Sequence, residues 1–204
     1  MTSTRKRRSG DARQDIIDAI LTTHVSSQTL KKKPDLRRFL KQYFANVPYE
    51  DLVGRSSEIM ARIAIDHLDF GAVRRPGQAL LRIYNANEKE HGYTSAFTFI
   101  EMINADMPFL VDSVAAAINR HNLSIHITVH PIVSVKRDAK GKLQAITASD
   151  AKGSQKESWV RFAIARETDP QELKLLLREI RKVLSDVKLA VRDWQAMRDR
   201  MREA

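Results

Sequence analysis

The sequence predicts an α+β fold: a mainly antiparallel sheet with two helices on one face, preceded by a small helical unit and ending in a long C-terminal helix. Three observations carry this. The hydrophobic period changes from helical to strand-like at Arg75-Pro76-Gly77. Residues 95–138, SAFTFIEMINADMPFLVDSVAAAINRHNLSIHITVHPIVSVKRD, read as strand, tight turn, helix, strand. Beyond Pro170 the chain runs to Glu203 without another proline and without glycine.

Upstream of the break the apolar residues repeat as on helices. Residues 1–10 are polar and basic and are expected to form a disordered tail. Residues 11–75 form the helical unit. Its first helix carries Ile16, Ile17, Ile20 and Leu21, and a lysine-rich loop over residues 25–34 follows. Asp35 is placed to cap a second helix, with Leu36, Phe39, Leu40, Tyr43 and Phe44 on one face. Pro48, Tyr49, Glu50 and Asp51 open a third, with Leu52, Ile59, Ile63 and Leu68 apolar along it and an end near Gly71.

Residues 78–204 form the α+β domain. Residues 78–85 and 95–104 are strands joined by a polar turn, and in the second both alternating faces carry apolar residues. Pro108 is expected to start a helix, where its missing N–H costs nothing. Leu110, Val111, Val114, Ala117 and Ile118 give that helix its buried stripe. Residues 124–136 read as one long strand, with Ile125, Ile127 and Val129 on one side and His126, Thr128 and His130 on the other. Pro131 marks a bulge or an edge position in it. A hairpin turn at residues 138–142 leads to a short strand, and residues 159–165 form another. Asp169 as N-cap, Pro170 at the first helical position and Glu172 two residues on then open the last helix. At 1.5 Å per residue it is roughly 50 Å long, more than a small sheet can cover. Leu173, Leu177, Ile180, Leu184, Val187, Val191, Trp194 and Met201 follow a three-four spacing along it. The half beyond Val187 is therefore expected to project and dock, on a second subunit, on the N-terminal helices or on a following domain. Val187, Val191, Trp194 and Met201 are the candidate interface residues, and a chain ending at Ala204 on such a helix reads as truncated.

Composition narrows the function. The absence of cysteine excludes disulfides, thiolate metal sites and a cysteine nucleophile. The longest apolar runs fall short of the roughly 18 residues of a membrane span. The basic start at Arg5-Lys6-Arg7-Arg8 is not followed by the apolar core of a secretory signal, so a cytoplasmic location is expected. The formal net charge of +10 is unevenly spread. Residues 1–48 hold eleven Lys and Arg against four Asp and Glu, whereas residues 49–204 hold 24 against 21. The excess thus belongs to the tail and to Lys31-Lys32-Lys33. Sparse aromatics there argue against stacking on nucleic-acid bases.

The order of elements is close to the βαββαβ (ferredoxin-like) arrangement but lacks a strand after the last helix. The strand at residues 78–85, pairing beside residues 95–104, can occupy the vacant sheet edge.

The strings INADMPFLVDSVAAAINRHNLSIHITVHPIVSVKRD and DVKLAVRDWQAMRDRM, with the Glu157-Ser158 strand between them, resemble the N-terminal region of the large-subunit bacterial NAD-dependent glutamate dehydrogenases. That region is regarded as an ACT-like regulatory domain, and the resemblance spans about residues 80–201. It implies a non-catalytic regulatory or assembly domain that holds no cofactor itself; NAD and the catalytic residues belong to downstream domains of the parent enzyme. The scattered glycines of this chain form no dinucleotide turn. Implied partners are a second copy of the chain, those downstream domains and an amino-acid effector.

ACT domains resemble one another in binding an amino acid at the first strand–helix loop, where a helix N-terminus offers N–H groups to a carboxylate. The residues matching that loop are Asn104, Asp106, Met107, Pro108 and Phe109, with Asp106 facing the ammonium. Phe109 stands where the usual loop has glycine and can fill the pocket. A purely structural oligomerisation module therefore stays open beside effector sensing, and a basic nucleic-acid-binding protein is the third reading. His126 and His130 are about 13 Å apart by strand rise, too far to share a metal ion. Asp112-Ser113 suits the first turn of a helix, and no histidine is spaced to activate the serine.

Overall fold

The computed structural model describes residues 14–24, 35–48, 52, 56–149 and 151–203. The expected tail, the Lys31-Lys32-Lys33 loop and the opening of the third helix at residues 49–51 lie outside them. A helical segment at residues 14–24, ending in a π-helical turn, precedes α1 (Leu36–Tyr43) and α2 (Ser57–Phe70). Then come β1 (Leu80–Asn85), the short α3 (Glu88–His91), β2 (Phe97–Ala105), α4 (Leu110–Arg120), β3 (Ile125–Val129), β4 (Ile132–Arg137), β5 (Leu143–Ile146), β6 (Gln155–Ala165) and α5 (Pro170–Glu203). None of the described helices is long and apolar enough to cross a membrane.

The sheet runs β1-β2-β6-β4-β5, with β3 also on β6, and every pairing is antiparallel. β1 closes the edge that a ferredoxin-like fold fills with its last strand, as the element order predicts. The expected single strand over residues 124–136 is interrupted at His130-Pro131, because proline has no N–H to give the ladder. Its two halves, β3 and β4, nevertheless share one edge of β6, and the Pro131 carbonyl still accepts from Trp159 N at 3.0 Å. A register shift between Ile125 and Ile127 corrects the expected facing. Ile125 packs beneath α4 and α5, whereas Ile127 and Val129 turn to the opposite side.

β2 and β6 are central strands buried on both faces, so their alternation sorts two kinds of side chain. Ile100, Met102, Val160, Phe162 and Ile164 meet Leu110, Val114 and Ile118 of α4 and Leu176, Ile180 and Leu184 of α5. On the other face Ile103 and Trp159 meet Ile17, Ile20, Phe39, Leu40, Tyr43 and Leu68 of the N-terminal helices. Both faces are thus covered, and the helical unit shares a core with the sheet.

Asp35 stands at the N-cap of α1, as expected. It makes no side-chain cap; its carboxylate instead accepts the Ile146 N–H of β5 at 2.9 Å, a ladder group at the sheet end. Ser56 caps α2, whose buried stripe is Met60, Ala61, Ala64, His67 and Leu68, leaving Ile59 38% exposed.

The join between helical unit and sheet is held by a buried carboxylate. Glu157 Oε1 accepts from Arg74 Nε and Nη2 and Arg137 Nε at 2.7–3.0 Å, and Oε2 accepts from Arg137 Nη2 and Trp159 Nε1 at 2.9 and 3.1 Å. The remaining guanidinium donors bind backbone carbonyls: Arg74 at Gln78, Arg137 at Gly71 and Gly141. These arginines hold the Glu157 pKa below the usual carboxylate range against the opposing effect of burial. Glu157→Leu leaves two buried cations uncompensated and is expected to cost about 3–5 kcal/mol in urea unfolding, most of it recovered when Arg74→Met and Arg137→Leu are added.

Candidate functional site

β2 passes into α4 through Asp106, Met107, Pro108 and Phe109. Pro108 does not start the helix. The first helical residue is Leu110, and the N-cap is Phe109 in the left-handed conformation, φ 65°. A residue with a Cβ held there is strained by about 1 kcal/mol or more, since the Cβ crowds the following carbonyl. Phe109 therefore keeps the backbone shape that suits glycine. Phe109 is 59% exposed.

Asp106 is anchored rather than loose. Its N–H donates to the Lys156 carbonyl at 3.0 Å, and its Oδ1 accepts the Ser158 hydroxyl at 2.6 Å. His130 Nε2 lies 3.2 Å from the same Ser158 oxygen. Because the hydroxyl proton goes to Asp106, the imidazole must donate from Nε2. Burial lowers the His130 pKa, opposed by Asp106 and Asp112, which favours the neutral ring with its proton on that nitrogen. Asn104 is buried directly across from Ser158, and Met107 packs against the core beneath α4. The first N–H groups of α4 have no partner within the helix. The loop thus combines anion-favouring N–H groups with a fixed carboxylate, the pairing a zwitterion requires. The Ser158 oxygen is thus engaged on both sides, by Asp106 and by His130.

The opposite face holds a second polar group that sequence reading did not single out. Glu101 is fully buried; its Oε2 accepts from Arg82 Nε at 2.8 Å and its Oε1 from Tyr84 OH at 3.0 Å. Arg82 also pairs with Asp66, and Arg161 Nε stands 3.4 Å from Glu101 Oε1. The arginines and neighbouring His67 hold the Glu101 pKa down although burial opposes them. His67 is buried among Tyr43, Phe70 and Trp159, its Nδ1 3.0 Å from Tyr43 OH. Desolvation lowers its pKa to about 4.

A family model described as glutamate dehydrogenase, ACT1 domain, matches residues 39–180. The chain belongs to this family. The match starts within α1 and stops at Ile180, so the ACT1 region takes in α2 and most of α1 and leaves α5 beyond Ile180 outside it. The chain is 29% identical over 196 residues to an NAD-specific glutamate dehydrogenase of Halomonas elongata, covering 95% of itself and 12% of that protein. It is 30% identical over 192 residues to the NAD-specific glutamate dehydrogenase of Pseudomonas aeruginosa, covering 93% of itself and again 12% of the relative. This ACT1 chain therefore spans about an eighth of the length of the curated relatives it matches.

The fold brings Asn104 and Asp106 together with Ser158 and His130, which were not among the expected site residues. The signal for Ser158 is tertiary, since only the β2–β6 register sets it beside the loop. Buried charges did leave a trace, however. Glu157 and Arg161 flank Trp159 in a strand too hydrophobic for a solvent-facing edge. The other histidines are dispersed: His126 packs on Phe97, and His121 lies 2.7 Å from Glu179 on α5. Of the expected interface residues, Val187 and Val191 are each 7% exposed, whereas Trp194 and Met201 are 42% and 71% exposed.

Two measurements follow from this geometry. Phe109→Gly relieves the left-handed strain and is expected to raise stability in chemical denaturation by up to about 1 kcal/mol, while Phe109→Val lowers it. For His67 the folded pKa of about 4 lies below the unfolded 6.5, so the unfolded chain takes up protons first as pH falls. Its contribution is complete above pH 6.5 and is lost toward pH 4, by about 3 kcal/mol. His67→Phe should flatten stability over that window. The lowered pKa values of Glu101 and Glu157 make their contributions start to fall at the ordinary carboxylate pKa and vanish only below it.

Proposed function

We propose that the chain is the non-catalytic N-terminal regulatory and assembly domain of a large NAD-dependent glutamate dehydrogenase, whose downstream domains deaminate L-glutamate to 2-oxoglutarate. On this reading NAD serves those domains. Family membership supports the regulatory role. The observation that carries effector sensing is the fixed Asp106–Ser158–His130 group beside the open N-terminus of α4. An amino acid would set its carboxylate on the helix N-terminus and its ammonium on Asp106, with Asn104 and Met107 lining the approach. The exposed ring of Phe109 would then be available to a neighbouring subunit.

The second reading is a structural oligomerisation module without a ligand. It is favoured by the exposed Leu189, Trp194, Met197 and Met201 on the far part of α5, which suit a second copy or a following domain.

A thermal-shift screen of the chain against the amino acids and NAD, each near 5 mM, separates the two. A sub-millimolar binder stabilises by about 1 kcal/mol or more at that concentration. One amino acid is expected to shift the midpoint, with the shift lost in Asp106→Ala. A flat screen leaves the structural module, and a shift with NAD alone contradicts both readings.

A further inference from the structure

On the face of the sheet away from α4 and α5, a cavity of about 250 Å³ lies beneath the N-terminal helices. Phe44, Val47, Met60 and Ile63 from the helical unit and Ile127 and Ala163 from the sheet make its walls apolar. Its polar groups include Arg161 and Tyr93. Arg161 enters a buried site with its hydrogen bonding incomplete. Its side chain is only 6% exposed, and its Nε has no hydrogen-bond partner among the described residues. That nitrogen stands 3.4 Å from Glu101 Oε1, in an ion pair with a carboxylate that also serves Arg82. Nη2 donates to Tyr93 OH at 2.9 Å, and Phe99 covers the flat face of the guanidinium at 3.9 Å. The donors of a guanidinium lie along its edge, so the stacked ring takes none of them.

A desolvated cation that shares its buried counter-charge with a second arginine favours a further acceptor, and most of all a charged one. The walls favour an apolar body. The volume sets the size, between a cavity of about 150 Å³ that holds benzene and the roughly 300 Å³ where drug-sized pockets begin. We propose that this cavity binds a small monocarboxylate with an aliphatic or aromatic body, its carboxylate on the edge of Arg161. The site is on the other side of the sheet from Asp106 and stands or falls independently of the effector loop.

Calorimetric titration of the full chain with phenylacetate and hexanoate, against phenylacetamide and 1-hexanol as neutral counterparts, tests it. One-to-one binding is expected, at least tenfold tighter for each acid than for its neutral partner. Ile63→Trp, which fills the cavity from α2 without altering a charge, should abolish it. In case that variant fails to fold, amide NMR of the unaltered chain with phenylacetate provides a second readout. Shifts should centre on Tyr93, Arg161 and Ala163. No saturable binding, equal affinity for the neutral compounds, undiminished binding by folded Ile63→Trp, or shifts confined to residues 104–109 would each overturn the proposal.

Discussion

The carboxylate of Glu157 is the point on which the two halves of the structure meet. It sits in a central strand with no exposure to solvent, and such a charge is tolerable only when opposite charges and hydrogen bonds replace water. Arg74 and Arg137 do this while spending their other donors on carbonyls at Gly71, Gln78 and Gly141. One side chain thereby ties together the end of α2, the linker into β1, the hairpin after β4 and the middle of the sheet. The glycines allow that closeness. A Cβ at Gly71 would meet the Trp159 ring, and one at Gly141, which has φ 85°, would meet the Arg74 carbonyl. The break at Arg75-Pro76-Gly77 marks a change of local structure, yet the chain on either side is clamped to the same group.

β6 acts as a divider. Its alternation sends Ser158, Val160, Phe162 and Ile164 toward α4 and α5, and Glu157, Trp159, Arg161 and Ala163 toward the N-terminal helices. One face therefore carries a small polar group at the head of α4, and the other a buried charge network beside an apolar cavity. The two groups share a strand but use opposite sides of it. The ACT1 match beginning within α1 agrees with this packing, because Phe39, Tyr43 and His67 close over Trp159 and complete its burial.

The strand–helix loop shows how a sequence anomaly becomes a conformational one. Phe109 takes a left-handed backbone at the N-cap, where the residue both ends the turn and leaves the helix N-terminus open. The loop tolerates this because Asp106 is held from both backbone and side chain by β6, which fixes the path of the chain before the turn is made.

Local chemistry by itself determined the kinds of element and their order. The change of period, the Asp169-Pro170 helix start, confirmed by the 2.7 Å bond from Gln171 N to Asp169 Oδ1, and β1 as the closing strand were all legible, since each rests on neighbours in sequence. The family resemblance was legible in the same way, from contiguous strings. Of the site, Asn104 and Asp106 could be read, but Ser158 and His130 could not, because they reach the loop only through strand register. Tertiary structure also decided which face each charged residue occupies, that Asp35 serves a strand instead of its own helix, and that Ile125 and Ile127 part at a register shift. Those outcomes depend on buried donors and acceptors finding partners far along the chain, and nothing in a local pattern encodes which partner that is.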